Sequence, residues 1–147
     1  MLPQTALYLL DTSVLLHSVR DDALSQQVRI TYSLNDPLTA LIINPVIEGE
    51  MRSLALQSGW GSRRVERLDQ LLARARSIPL DFPGVIDAYA RIDSHCRRIG
   101  RPIGENDTWI AATAYATGAR LLTTDRDFDH LDGVFVTRDW IDPKIRR

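Results

Sequence analysis

The sequence predicts an α/β fold built on a parallel sheet, and three observations support that prediction. Residues 6–10 and 119–124 are short, mostly apolar runs, and each ends on a carboxylate, Asp11 and Asp125. A run apolar on both faces suits a strand buried in a parallel sheet better than a half-exposed antiparallel one. Longer segments of helical periodicity alternate with these runs, the pattern of strand–helix–strand units. At 147 residues the chain, 1–147, is expected to form a single domain with a real core.

Taken in order, residues 6–10 form the first strand, with Asp11 at its carboxyl end, the edge where open α/β sheets bind ligands. A short helical turn is predicted over 13–17. A helix is predicted over 21–34, with Leu24, Val28 and Tyr32 at helical spacing. Asn35-Asp36-Pro37 is a turn by composition, and 38–43 is a second, β-branched and aliphatic strand. Asn44 and Pro45 suit the N-cap and first position of a helix running to Gln57, stopped by Gly59 and Gly61. Ser62 is expected to cap the next helix. Its apolar stripe is Val65, Leu68, Leu71, Leu72 and Ala75, and Arg63, Arg64, Arg67, Arg74 and Arg76 occupy other positions. Those arginines read as a solvated face or as a strip that guides phosphates.

Residues 78–80 are expected to be an edge strand, because Pro79 cannot donate to a ladder. A long helix over 83–99 places Cys96 on the apolar face with Val85, Tyr89, Ile92 and Ile99, as a packing residue; His95 has no His or Cys partner to make a metal site. Asn106 is the expected N-cap of a helix that ends at Gly118, with Asp107 in its first turn. The strand over 119–124 follows, a last strand is expected over 134–136, and 142–147 reads as a loosely held tail.

Composition excludes several classes. The apolar and charged fractions, 44% and 25%, are ordinary for a globular domain, and no apolar run approaches the roughly 20 residues that span a bilayer. The N-terminus lacks the pattern of a signal peptide, and the single cysteine precludes an internal disulfide framework, so a cytoplasmic setting is the economical expectation. A net charge of −1 provides no global basic field, which disfavours a pure nucleic-acid binder but leaves room for a nuclease with a local basic strip.

Candidate chemistry rests on acids. Parallel strands end on one edge, so Asp11 and Asp125 share it and face a common crevice if their strands are neighbours. Simple alternation sets the amino end of the Asp107 helix on the opposite edge unless the preceding connection crosses over, and two helices in series leave room for that crossing. A further acid comes from the 45–57 helix, where Ile47, Met51 and Leu54 form the buried stripe. Glu50 flanks that stripe, whereas Glu48 points away and has Arg52 four residues on as an ion-pair partner. A carboxylate beside a core-facing stripe is costly unless it is paired or binds a cation. Crowded hard oxygen donors without a Cys or His cluster suit Mg²⁺ or Mn²⁺, and such a site suits phosphoryl chemistry.

Four segments together resemble the PIN-domain ribonucleases, and more closely the VapC-type toxins. They are Asp11-Thr12-Ser13; Ile43 through Glu50-Met51; Ile103-Gly104-Glu105-Asn106-Asp107 with Ile110-Ala111-Ala112; and Leu121-Leu122-Thr123-Thr124-Asp125 with Phe128. The resemblance spans nearly the whole chain in the family's order. It implies a PIN-like three-layer fold with a parallel sheet of about four to five strands between helices. It also implies that Asp11, Glu50, Asp107 and Asp125 converge as metal-binding acids. Its functional implications are cleavage of single-stranded RNA by a metal-activated water, inhibition by a cognate antitoxin, and a homodimer within that complex. Asn44 stands where the family usually has Ser or Thr, a capping position that Asn can fill. Asp127 reads as a turn-stabilising residue or an auxiliary ligand. Thr12, Ser13 and Thr123 read as caps or as orienting groups, and Trp140 and Tyr115 as base-stacking candidates, with Trp140 otherwise pinning the terminus.

The rivals fit less well. A phosphoaspartyl phosphatase of the haloacid-dehalogenase type needs an Asp where Ser13 stands, and a receiver domain needs a strand-end lysine, whereas the sole lysine is Lys144 in the tail. A catalytically degenerate PIN-like module that only binds RNA or protein would be expected to lack one of the four acids.

Overall fold

The computed structural model describes residues 6–144. Five strands, β1 (Leu7–Leu10), β2 (Ala40–Ile43), β3 (Arg76–Ser77), β4 (Arg120–Thr123) and β5 (Thr137–Trp140), form one sheet in the order β3-β2-β1-β4-β5. All four pairings are parallel. Leu9 pairs with Ile42 on one side and Leu121 on the other, so β1 and β4 are neighbours and Asp11 and Asp125 leave the same edge side by side. Helices α1 (Thr12–Arg20), α2 (Ala23–Thr31), α3 (Pro45–Gln57), α4 (Ser62–Arg74), α5 (Val85–Arg98) and α6 (Glu105–Thr117) flank the sheet. A 3-10 helix, Arg126–Leu131, follows β4. Leu9, Ile47, Met51, Ile92, Ile110, Leu121, Leu122 and Phe128 are fully buried and join both helical layers to the sheet. Each such side chain contributes about 1.5–3 kcal/mol relative to exposure.

Several boundaries depart from expectation for local reasons. The turn expected over 13–17 extends to a full helix, since Asp11 accepts from Thr12 N at 2.8 Å and so caps it. The third strand lies two residues earlier than 78–80: Ile78 still donates to Ile43 O at 2.8 Å, but Pro79 has no N–H with which to continue. The last strand is 137–140 rather than 134–136. Val134, Phe135 and Val136 all donate to Leu131 O and close a turn, so Val136 is buried by packing and not by pairing with β4. Gly61, not Ser62, is the N-cap of α4. Gly104, not Asn106, caps α6, with Thr108 N donating to Gly104 O at 2.9 Å, while Asp107 stays in the first turn. Asn44 caps α3 as expected, accepting from Ile47 N at 2.9 Å, and its amide donates to Thr113 Oγ1 at 3.0 Å, which ties α3 to α6.

The crossing needed to bring Asp107 to the site occurs before α5. Residues 78–84 return to the amino edge of the sheet, where a Cβ built on Gly84 would lie 3.6 Å from Ala116, near the end of α6. Gly84 has φ 92°, a conformation that favours glycine at this bend. Helix α5 then climbs and α6 descends against it toward β4, so Asp107 starts at the carboxyl edge. The arginines of α4 divide. Arg67 donates to Val19 O at 2.8 Å and Arg74 to the carbonyls of Leu34 and Thr39, as structural clamps, while Arg63 and Arg64 are exposed. Cys96 is buried, as expected of a packing residue, and His95 meets the edge of Phe135. Among the described residues, no helix is long and apolar enough to cross a membrane.

Candidate metal centre

Asp11 is placed by the end of β1 and is 5% exposed. Its Oδ1 accepts from Thr12 N, and its Oδ2 accepts from Ser13 Oγ at 2.9 Å and Thr123 Oγ1 at 2.7 Å. Both hydroxyls are themselves held by β4: Thr124 N donates to Ser13 Oγ at 3.1 Å, and Asp125 N donates to Thr123 Oγ1 at 2.9 Å. Two relays thus run from the backbone after β4 through hydroxyls into one carboxylate oxygen. Burial pushes the Asp11 carboxyl above its ordinary range despite these three donors and with the Asp125 charge adding to it. About four lone-pair sites exist on a carboxylate, so room for a cation remains on Oδ1.

Asp125 lies two residues past β4, and its Oδ1 accepts from Asp127 N at 2.9 Å, capping the 3-10 helix. Oxygens of Asp107, Asp125 and Asp127 all lie within 4.8 Å of one another. Asp127, which the sequence leaves between turn residue and ligand, therefore brings its side chain into the cluster. Among the described residues, no hydrogen bond to the Asp107 carboxylate is found. Burial first, then the charges of Asp11, Asp125, Asp127 and Glu50, push its pKa up to about 7.

Glu50 reaches this place from α3. Thr12 Oγ1 donates to its Oε1 at 2.9 Å, and Asn106 Nδ2 donates to its Oε2 at 3.3 Å. Glu48 turns to Arg52 at 3.7 Å, and Arg52 in turn bonds Asp69 on α4 at 2.7 Å. Sequence alone gives Asn106 to the helix cap and so hides its role; with Gly104 at the cap, the Asn106 side chain is free to orient Glu50. A cleft lined by Thr12, Val46, Gly49, Glu50, Ser53 and Asn106 opens from the acids along α3. On the other side, Trp140 Nε1 donates to Thr124 O at 3.0 Å, which fixes the indole at the end of β5. Tyr115 lies at the far end of α6 from Asp107, edge-on to Phe135 at 5.8 Å.

The donor set fits a divalent cation. Asp107, Asp125 and Asp127 lie close enough to share an ion, the charges of Asp11 and Glu50 reach Asp107 as well, and among the described residues no Cys or His joins the cluster. Hard oxygen ligands of this kind suit Mg²⁺ or Mn²⁺ and not zinc.

Comparison with known proteins agrees with this geometry. The model of the PIN domain family matches residues 8–134. Ribonuclease VapC4 of Mycobacterium tuberculosis is 34% identical over 95 residues, covering 64% of this chain and 73% of that protein. Among solved structures, VapBC2 from Rickettsia felis bound to a DNA fragment from their promoter aligns with TM-score 0.77 at 19% identity, over 92% of this chain and 99% of that one. VapBC-5 from Mycobacterium tuberculosis, a member of the VapBC family of toxin-antitoxin systems, aligns with TM-score 0.67 at 28% identity, over 92% and 98%. With the sheet order, the acid-bearing edge and these matches in agreement, the chain belongs to the PIN-domain family, in its VapC-type branch.

Proposed function

We propose that this protein is a divalent-metal-dependent endoribonuclease that cleaves single-stranded RNA and serves as the toxin of a toxin–antitoxin pair. The observation that supports the reading is the cluster of Asp107, Asp125 and Asp127, whose oxygens lie within 4.8 Å of one another, with the charges of Asp11 and Glu50 acting on Asp107 and an open cleft beside Glu50. Asp11, Glu50, Asp107 and Asp125 would hold Mg²⁺ or Mn²⁺. When bound, such an ion polarises a phosphate oxygen and lowers the pKa of water enough to supply a nucleophile.

The chain's own groups do the positioning. Ser13 and Thr123 hold Asp11, and Thr12 and Asn106 hold Glu50, so two carboxylates are oriented before any ligand arrives. Asp107 retains its proton up to about pH 7 in the cation-free protein, so cation entry and proton release from Asp107 are linked. The cleft along α3, open to solvent beside Glu50, is where an extended strand would lie. It is also where a cationic side chain of an antitoxin would pair with Glu50 and block access. Homodimerisation within that complex completes the reading.

The test is cleavage of a mixed single-stranded RNA pool by purified protein with Mg²⁺, Mn²⁺ or chelator, with Asp11→Asn as control. Cleavage only with metal, lost in the control, is expected. Activity that survives excess chelator would remove the metal-dependent mechanism.

A further inference from the structure

We infer that Arg126, seated on the Trp140 ring, forms a phosphate-binding subsite for the RNA strand on the β5 side of the acid cluster. The inference rests on the nuclease reading above. Arg126 stands between Asp125 and Asp127, and its guanidinium carbon lies 3.7 Å from the centre of the Trp140 ring. The ring is itself fixed by its bond to Thr124 O. A stacked guanidinium is held by its face, while its N–H donors lie in the plane and stay free at the edge. That is the arrangement in which an arginine fork meets a phosphate with little further loss of side-chain freedom.

Arg126 is uncommitted in a way that neighbouring arginines are not. Arg120 bonds Asp139 at 2.7 Å, and Arg138 bonds Asp129 at 2.7 Å. Arg126 has only a long contact of 3.4 Å to Asp129, an acid already taken by Arg138, and its side chain is 64% exposed. A structural ion pair therefore does not account for its position.

Sheet order gives the path of the strand. Glu50 follows β2, Asp11 follows β1, Asp125 follows β4, and the Arg126–Trp140 stack stands at the end of β5. Adjacent strands are about 4.8 Å apart, so the stack lies roughly one strand spacing beyond Asp125. RNA entering along the α3 cleft and crossing the acids arrives next at Arg126. Among the described residues, the α3 cleft is lined by no cation, and the acids repel a polyanion. The β5 side therefore supplies the positive charge that offsets this repulsion.

The test is binding of a fluorescently labelled single-stranded RNA of mixed sequence, with Ca²⁺ in place of Mg²⁺, across a series of KCl concentrations. Arg126→Gln is expected to weaken binding about tenfold and to make the slope of log K against log salt shallower by about 0.7, the loss of one phosphate contact on a single strand. Arg126→Lys should restore the slope but only part of the affinity, because it keeps the charge and loses the fork. Trp140→Phe, which keeps a ring but loses the bond to Thr124, should fall between wild type and Arg126→Gln. Wild-type slope and affinity in Arg126→Gln, or weaker binding with an unchanged slope, would overturn the subsite. The nuclease reading is judged separately, from wild-type cleavage with Mg²⁺ or Mn²⁺. RNA bound with the expected slope change but never cleaved would sink that reading and leave the subsite standing.

Discussion

Replacing Asp107 by Asn offers the sharpest test of the electrostatics at the sheet edge. In the cation-free protein the Asp107 pKa rises from 3.8 to about 7, through burial and four neighbouring carboxylates. An acid whose pKa is higher folded than unfolded binds its proton more tightly in the folded state. Stability is then fully present below about pH 4 and is lost as pH rises through 7, because the unfolded chain releases the proton first. The difference of about three pK units sets a ceiling of about 4 kcal/mol; partial solvation of the side chain reduces the expected effect to about 1–2 kcal/mol. Asn is neutral throughout, so Asp107→Asn should match wild type at about pH 4 and below. At pH 8 in chelator it should unfold about 2–8 °C higher. Added Mg²⁺ should raise the wild-type midpoint and leave the variant nearly unmoved. The assay is thermal unfolding from pH 4 to 8, read as the difference between the two proteins so that other titrations cancel. A variant less stable than wild type at pH 8, or a difference that does not grow with pH, would refute the reasoning.

Three further outcomes follow from the same geometry. Glu50→Gln should lose Mg²⁺ affinity and cleavage steeply while folding normally without metal, since the amide oxygen can still accept from Thr12; Glu48→Gln breaks a surface pair with Arg52 worth about 0.3–0.5 kcal/mol and should cleave normally. Cleavage rates against Mg²⁺ concentration decide between them, and the reverse pattern would reassign the ligand. Thr123→Val removes a buried donor to Asp11 and strands the partly buried Asp125 N–H, so it should cost about 1–3 kcal/mol in denaturant unfolding and slow cleavage as well. Products of cleavage should end in 5′-phosphate and 3′-hydroxyl; 2′,3′-cyclic ends on end-group analysis would indicate attack by the ribose and would exclude a metal-activated water.

The central strands were legible because their residues are apolar on both faces and end on acids, a pattern with few alternative explanations. Edge elements were not. In β3, residues Arg76 and Ser77 are exposed, so the apolar signal fell on Ile78, the last rung before Pro79. In β5, Thr137, Arg138 and Asp139 pair with β4 without any apolar alternation, whereas Val134-Phe135-Val136 is apolar and folds as a turn. Caps misled in a similar way: glycine at positions 61 and 104 provides no side-chain signal, and the polar residues that follow took its place in the reading. At the site, helical phase set Glu50 apart from Glu48, although the buried stripe of α3 is Ile47, Met51 and Ala55, with Leu54 lining the cleft instead. Asp107 was not placeable from its own neighbourhood, because its position depends on how residues 78–84 return across the sheet.

The bond between Thr123 and Asp11 joins residues 112 positions apart, and its partner relay from Thr124 to Ser13 spans 111. Such separations mean that the acid edge has a high contact order and forms only when β4 has docked beside β1. As the chain leaves a ribosome, Asp11 emerges early and remains without Thr123, Asp125 and Asp127 until most of the protein has been made. An incomplete chain cannot assemble the cluster, and a slip of one residue between β1 and β4 would part Asp11 from Thr123 and Ser13 from the Thr124 N–H. Any hazard to the cell that synthesises this protein is thereby deferred to the moment at which folding is nearly complete.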